Sequence, residues 1–194
     1  MQIAQVEASA DLDVDYDYGM PQPTAEQIGQ NYTLMDWTRG LNVATTLALA
    51  VTGVLGFIQF GDEYGFNDAY DQTACATNDA VLGYCAEETP WAHAIAAGTS
   101  ATLLVSSFAV STQIDFDQAA RHDSDWRVYE TTRWIALGMG VLQAAGGFFL
   151  ANSVRWGWLD EQQDFDTMQA LAGGHMALGV ATLGINAANS LLLF

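Results

Sequence analysis

The chain has 194 residues, is 51% hydrophobic and 14% charged, and carries a formal net charge of −18. It contains no lysine, and its only fixed cations are Arg39, Arg121, Arg127, Arg133 and Arg155. That balance argues against nucleic acid as a partner, since phosphate binding needs clustered Lys and Arg. It also leaves little chain for a soluble catalytic domain.

From the N-terminus, residues 1–23 read as an acidic tail, disordered or used for docking, in which Asp11, Asp13, Asp15 and Asp17 alternate with other residues. Met1–Met20 has neither the basic start nor the apolar core of a cleavable signal, although a signal already removed is the alternative. Thr24 is placed to cap a juxtamembrane helix over 24–40, with Glu26 in its first turn and Ile28, Tyr32 and Met35 on one face. Trp37 falls at headgroup level.

Four apolar stretches follow: Leu41–Phe60, Ala92–Thr112, Trp134–Val154 and Gly174–Phe194. None contains Asp, Glu, Lys or Arg. Each is long enough, as a helix, to cross a bilayer core of roughly 30 Å. The expected fold is all-α: a four-helix transmembrane bundle over 41–194, entered by a short interfacial helix. Neither a hydrolytic constellation nor a phosphate-binding glycine loop appears.

The first loop, Gly61–Thr89, holds Cys75 and Cys85, the only cysteines. Their close spacing in a polar loop fits a disulfide and an oxidising compartment, with free thiols as the alternative. Thr89 and Pro90 form a start signal for the second span. The second loop, Gln113–Arg133, carries three of the five arginines. The third, Arg155–Gly173, carries Trp156 and Trp158, and Asp166 or Thr167 is placed to cap the last helix. Arginine asymmetry puts the N-terminus inside a plasma or inner membrane, with loops 61–91 and 155–173 outside. The acidity fits either a salty habitat, where screening tolerates dense carboxylates, or a docking surface for a basic partner.

His93 opens the second span and His175 the fourth, and these two spans run the same way. Both imidazoles therefore fall near one membrane face. An intramembrane histidine needs a partner, and two at similar depth point to a shared one such as the iron of a b-type haem. Small residues surround them: Gly53 and Gly56 in span one, Gly146 and Gly147 in span three, Gly179 in span four. Close helix packing explains the same glycines without a cofactor. Counted from the expected helix starts, His93 lies nearer its helix end than His175, a mismatch of several ångströms. His122, between Arg121 and Asp123, reads as solvated.

Four spans with histidines on the second and fourth, in the segments TPWAH and GGHMALG, resemble the small membrane-bound b-type cytochromes. That resemblance implies four core helices holding haem b between facing pairs, here one haem only, because span one lacks a histidine. Its axial ligands would be His93 and His175. Its partners would be a quinone or an outer-side redox carrier, membrane lipid and other subunits of a complex. The first loop resembles in layout that of claudin-like tetraspan proteins, without their Trp-Gly-Leu-Trp signature. The sequence therefore leaves two readings open, an electron-transfer subunit and a non-catalytic four-span subunit. A transporter ranks behind both, because the mid-span polar residues, such as Gln143 and Asn186, are mild and suit bonds between helices.

Overall fold

The computed structural model describes residues 23–66, 68–83, 85 and 90–194. The tail, Thr89, Glu87 and Glu88 lie outside the described residues. Among the described residues there are six α-helices: α1 (Ala25–Tyr64), α2 (Ala74–Thr77), α3 (Trp91–Ser111), α4 (Phe116–His122), α5 (Asp125–Ser153) and α6 (Phe165–Leu192). No strand occurs among the described residues. Four of them, α1, α3, α5 and α6, are long and apolar enough to cross a membrane.

The juxtamembrane helix and the first span are one continuous helix. Thr24 caps it through a capping box: its hydroxyl accepts from the Gln27 amide at 3.2 Å, and the Gln27 side chain accepts from the Thr24 amide at 2.7 Å. Nothing between 24 and 41 breaks the helix, and Gly40 alone does not stop it. The expected face of Ile28, Tyr32 and Met35 is rotated. The buried line runs through Asn31, Met35, Thr38 and Asn42, because Asn31 pairs with the Asp115 backbone in both directions, at 3.2 and 2.8 Å.

The second and third loops are shorter than expected. Asp115 caps α4 by accepting from the Gln118 amide at 3.0 Å, and α5 begins at Asp125, nine residues before Trp134. Helix α6 begins at Phe165, with Asp164 rather than Asp166 or Thr167 in the cap position. Its first turns carry Phe165 and Met168 onto Phe60 and Tyr64 at the end of α1. Burial of those side chains extends the helix past the apolar stretch.

Around the bundle, α1 packs on α3 and α6, while α5 packs on α6 and more lightly on α3. Helices α3 and α6 therefore face each other diagonally. Large apolar side chains such as Leu47, Val54, Ile95, Val141, Leu142 and Val180 point outward. The inward lines are mostly polar at a spacing of three and four: Ser100, Ser107 and Ser111, with Leu104 among them, on α3, and Thr182, Asn186 and Asn189 on α6. This inside-out distribution suits a lipid surround, where small and polar residues join helices and apolar ones face solvent tails.

The two ends differ. One, here the arginine end, gathers Met35, Ile114, Phe116, Ala119, Trp126, Tyr129 and Leu193 into a buried cluster. The other, the disulfide end, has the smaller cluster of Phe60, Tyr64, Phe165, Met168 and Ala172. There Cys75 and Cys85 are bonded, with an S–S distance of 2.07 Å, and the loop they close is tied to α1 where Asp62 accepts from the Leu82 amide at 2.9 Å.

Candidate functional site

Both histidines face the bundle interior in the half nearer the disulfide end, and both are half-buried. His93 lies on α3 beside α1. Its Nδ1 is 3.2 Å from the Thr52 carbonyl. A carbonyl only accepts, so Nδ1 carries the proton and Nε2 presents a lone pair. The ring is seated on Gly56: a Cβ there would come within 2.8 Å of the imidazole Cε1. Gly56 is therefore required by the close approach of the ring.

His175 lies on α6 beside α5. A Cβ at Gly146 would fall 3.2 Å from its Nδ1, and one at Gly147 would fall 3.1 Å from its Cε1. Gln143, one turn along α5, puts its amide nitrogen 3.1 Å from His175 Nε2. With that amide donating, the imidazole proton sits on Nδ1, which is buried and has no partner. The Gln143 oxygen is likewise buried without one. Thus two polar atoms beside one histidine lack the partners that buried polar groups ordinarily find.

The depth mismatch expected from the helix starts is resolved by the protrusion of α6. Ten residues of α6 precede His175, whereas only two of α3 precede His93. The extra turns pack beyond the start of α3, on the last turns of α1. Both imidazoles therefore lie in the same half of the bundle, His93 against Gly56 and His175 against Gly146 and Gly147. His93 sits between α3 and α1, and His175 between α6 and α5. The side-chain contacts joining α3 to α5 (Ser111 with Arg133, Phe108 with Trp134, Leu104 with Gly140) lie toward the arginine end.

Of the five glycines expected around a cofactor, Gly56, Gly146 and Gly147 adjoin the imidazoles. Gly179 adjoins Gln143 instead, at 3.0 Å from the position of an added Cβ. Gly53 is exposed and borders nothing. A groove of about 210 Å³ opens beside His175, lined by Gly146, Phe149, Leu150, Leu171, Gly174 and Leu178. It is smaller than sites that hold drug-sized ligands, roughly 300–1,000 Å³. His93 does not border it. A larger hollow of about 470 Å³, beside Trp37 and Gly40 on α1, touches neither histidine.

These residues fit two axial imidazoles in part. His93 has its Nδ1 held by a backbone carbonyl and its Nε2 available, the arrangement that orients ligand histidines. His175 has an orphaned nitrogen and glycines on the facing helix. Against the fit, Gln143 occupies the His175 Nε2, and the groove is narrow for a porphyrin. No cluster of three or more His, Cys, Asp or Glu that could hold a bare metal ion occurs among the described residues. Sequence reasoning missed the Thr52 carbonyl, which no residue type signals. It noted Gln143 only as a bond between helices. His122 is exposed, and its ring meets Tyr32 edge-on at 5.4 Å. No family model, no curated protein and no solved structure matches this chain.

Proposed function

We propose that this chain is a membrane electron-transfer subunit that holds one b-type haem between His93 on α3 and His175 on α6, near the disulfide end. The observation carrying this reading is the presence of two inward imidazoles on diagonal helices in the same half of the bundle, His93 with Nε2 available and His175 with a buried nitrogen lacking a partner. The haem, when bound, supplies a one-electron iron couple. The protein's part is to orient and insulate. Thr52 fixes the His93 tautomer and ring plane, and Gly56, Gly146 and Gly147 let the rings lie against neighbouring backbones. The acidic loop residues at the disulfide end, such as Asp160 and Glu161, would steer a cationic carrier, an effect that salt screens. A quinone in the lipid is the other partner the reading admits. In this reading the arginine end faces inward in a plasma or inner membrane, and the chain works beside other subunits.

The competing reading is a non-catalytic four-span subunit whose histidines only join helices. One observation favours it: Gln143 already bonds the nitrogen that iron would take. Gln143→Leu separates the two. A haem ligand freed of Gln143 keeps or gains haem. A histidine that only joins helices loses its partner, and the variant is destabilised by about 1–3 kcal/mol with no visible spectrum in either protein. The test of the reading is a dithionite-reduced minus oxidised spectrum of the protein purified with its native neighbours. A sharp b-type alpha band, absent in His93→Ala and His175→Ala, is expected. A featureless spectrum from the intact assembly sinks the haem and leaves the structural reading.

A further inference from the structure

Helix α5 ends in a turn that folds back on the helix. Its apolar stretch closes at Val154, and Arg155 follows directly. Gly157 has a φ of +68°, in the left-handed region that favours glycine. The amides of Trp156, Gly157 and Trp158 reach back to the carbonyls of Asn152, Val154 and Ser153, at 2.9, 2.9 and 2.8 Å. The turn brings the two indoles together, with ring centroids 4.8 Å apart. Trp156 meets Phe148 at 5.4 Å, and Trp158 stacks on Phe149 at 5.5 Å. Both indoles stay exposed. Indoles at the end of an apolar span lie at headgroup depth and offer N–H donors to oxygen acceptors there.

Two further features adjoin this turn. The first is a charge without a counter-charge. Arg155 is exposed, and among the described residues no carboxylate lies within ion-pairing distance of it. Arg39, Arg127 and Arg133 all donate within the chain. The carboxylates that follow in the loop accept from backbone amides of that loop: Asp160 from Gln162 and Gln163 at 3.0 and 2.8 Å, Asp164 from Asp160 at 2.8 Å. The second feature is the groove of about 210 Å³ between α5 and α6. Phe149, stacked on Trp158, is one of its walls, so the indole pair and the groove are contiguous. Gly174 keeps another wall low, because a Cβ there would meet nothing. The groove presents only apolar surface to an occupant. A ring bearing carbonyls finds no hydrogen-bond partner in it, whereas a hydrocarbon chain needs none.

We propose that this end of the bundle holds one zwitterionic phospholipid, with its phosphate on Arg155 and the Trp156–Trp158 pair and part of one acyl chain in the groove between α5 and α6. Charge complementarity selects the headgroup. A lipid phosphate lies just outside the hydrocarbon, the depth at which Arg155 follows Val154, and a long arginine side chain reaches that layer. The ammonium of phosphatidylethanolamine lies outward of its phosphate, on the side of the acidic loop that carries Asp160 and Glu161. This inference does not depend on haem.

The test is native mass spectrometry of the full chain released from detergent micelles containing phosphatidylethanolamine or a galactosyl diacylglycerol with the same acyl chains. One retained phosphatidylethanolamine is expected, with the phosphate-free galactolipid held about five-fold more weakly. Arg155→Gln should bring phosphatidylethanolamine down to the galactolipid level, while Arg155→Lys keeps the preference. Equal retention of the two lipids by the parent chain, or a preference unchanged in Arg155→Gln, overturns the phosphate contact. Gly174→Leu, which fills the groove, should lower retention of both lipids alike; unchanged retention overturns the seat of the chain. Inorganic phosphate at millimolar concentration should not displace the lipid. Displacement would mean a site for the free anion and would overturn the proposal.

Discussion

The two ends of this bundle are built on opposite plans. At the arginine end, aromatic side chains and cations lock all four spanning helices together. Arg39 donates to the Leu193 carbonyl at 2.7 Å and lies 5.4 Å from the Trp126 ring, while Arg133 stands 4.4 Å from the Phe116 ring and donates to Ser111 at 2.9 Å. At the disulfide end the smaller buried cluster comes from α1 and α6, with Leu150 and Val154 packed against it, and glycines adjoin the histidine rings. Packing is concentrated away from the polar site. The larger buried cluster and the two histidines therefore lie in different halves of the same helices.

The comparison breaks most visibly at Trp126, which is fully buried in the arginine-end cluster. Trp126→Ala should cost about 3–5 kcal/mol. Thermal unfolding checks it, and the fraction that remains folded should keep the visible spectrum of the parent. A spectrum lost in step with folding at mild temperature would show the two halves to be one unit.

The glycines sharpen the same contrast. Gly56→Ala drives a methyl into the His93 ring and should cost about 1–3 kcal/mol, with a shifted or lost haem band. Gly53→Ala, one turn away on an exposed face, meets nothing and should be neutral or slightly stabilising. Equal effects from the two would mean the ring does not sit where Gly56 admits it.

The smallest effect belongs to the exposed pair of Asp117 and Arg127 at the arginine end, 2.6 Å apart. The hydrogen bond from Arg127, and then its charge, hold the Asp117 carboxyl below the usual carboxylate range. A depressed carboxyl contributes stability above its unfolded value, and that contribution is lost as pH falls through the folded one. Unfolding followed from pH 6 to pH 2 should show a small acid-side loss that Asp117→Asn and high salt both remove. A loss unchanged in Asp117→Asn would assign it to other carboxylates.

The number of spans and the bonded cysteines were legible because hydropathy and the rarity of cysteine carry them directly. The histidine pair was legible as a coincidence of position. Its surroundings were only partly so. Gly53 and Gly56 look equivalent in the sequence, yet they lie one turn apart in height and about 60° apart around the helix, and only Gly56 reaches a ring. The true start of α6 was hidden because Phe165 and Met168 become helical through contact with Phe60 and Tyr64, a tertiary effect that overrides the local cap signal at Asp166. That hidden extension also removes the depth mismatch which counted against the pair. The acceptor for His93 is a backbone carbonyl, and side-chain chemistry gives no sign of it.

One measurement bears most directly on the central claim: electron paramagnetic resonance of the oxidised protein, purified with its neighbours, beside His93→Ala and His175→Ala. Two axial imidazoles predict a low-spin ferric signal that each substitution converts to high spin or abolishes. A ferric signal unchanged in either variant, or none in an intact assembly, would contradict the assignment of His93 and His175 as the ligands.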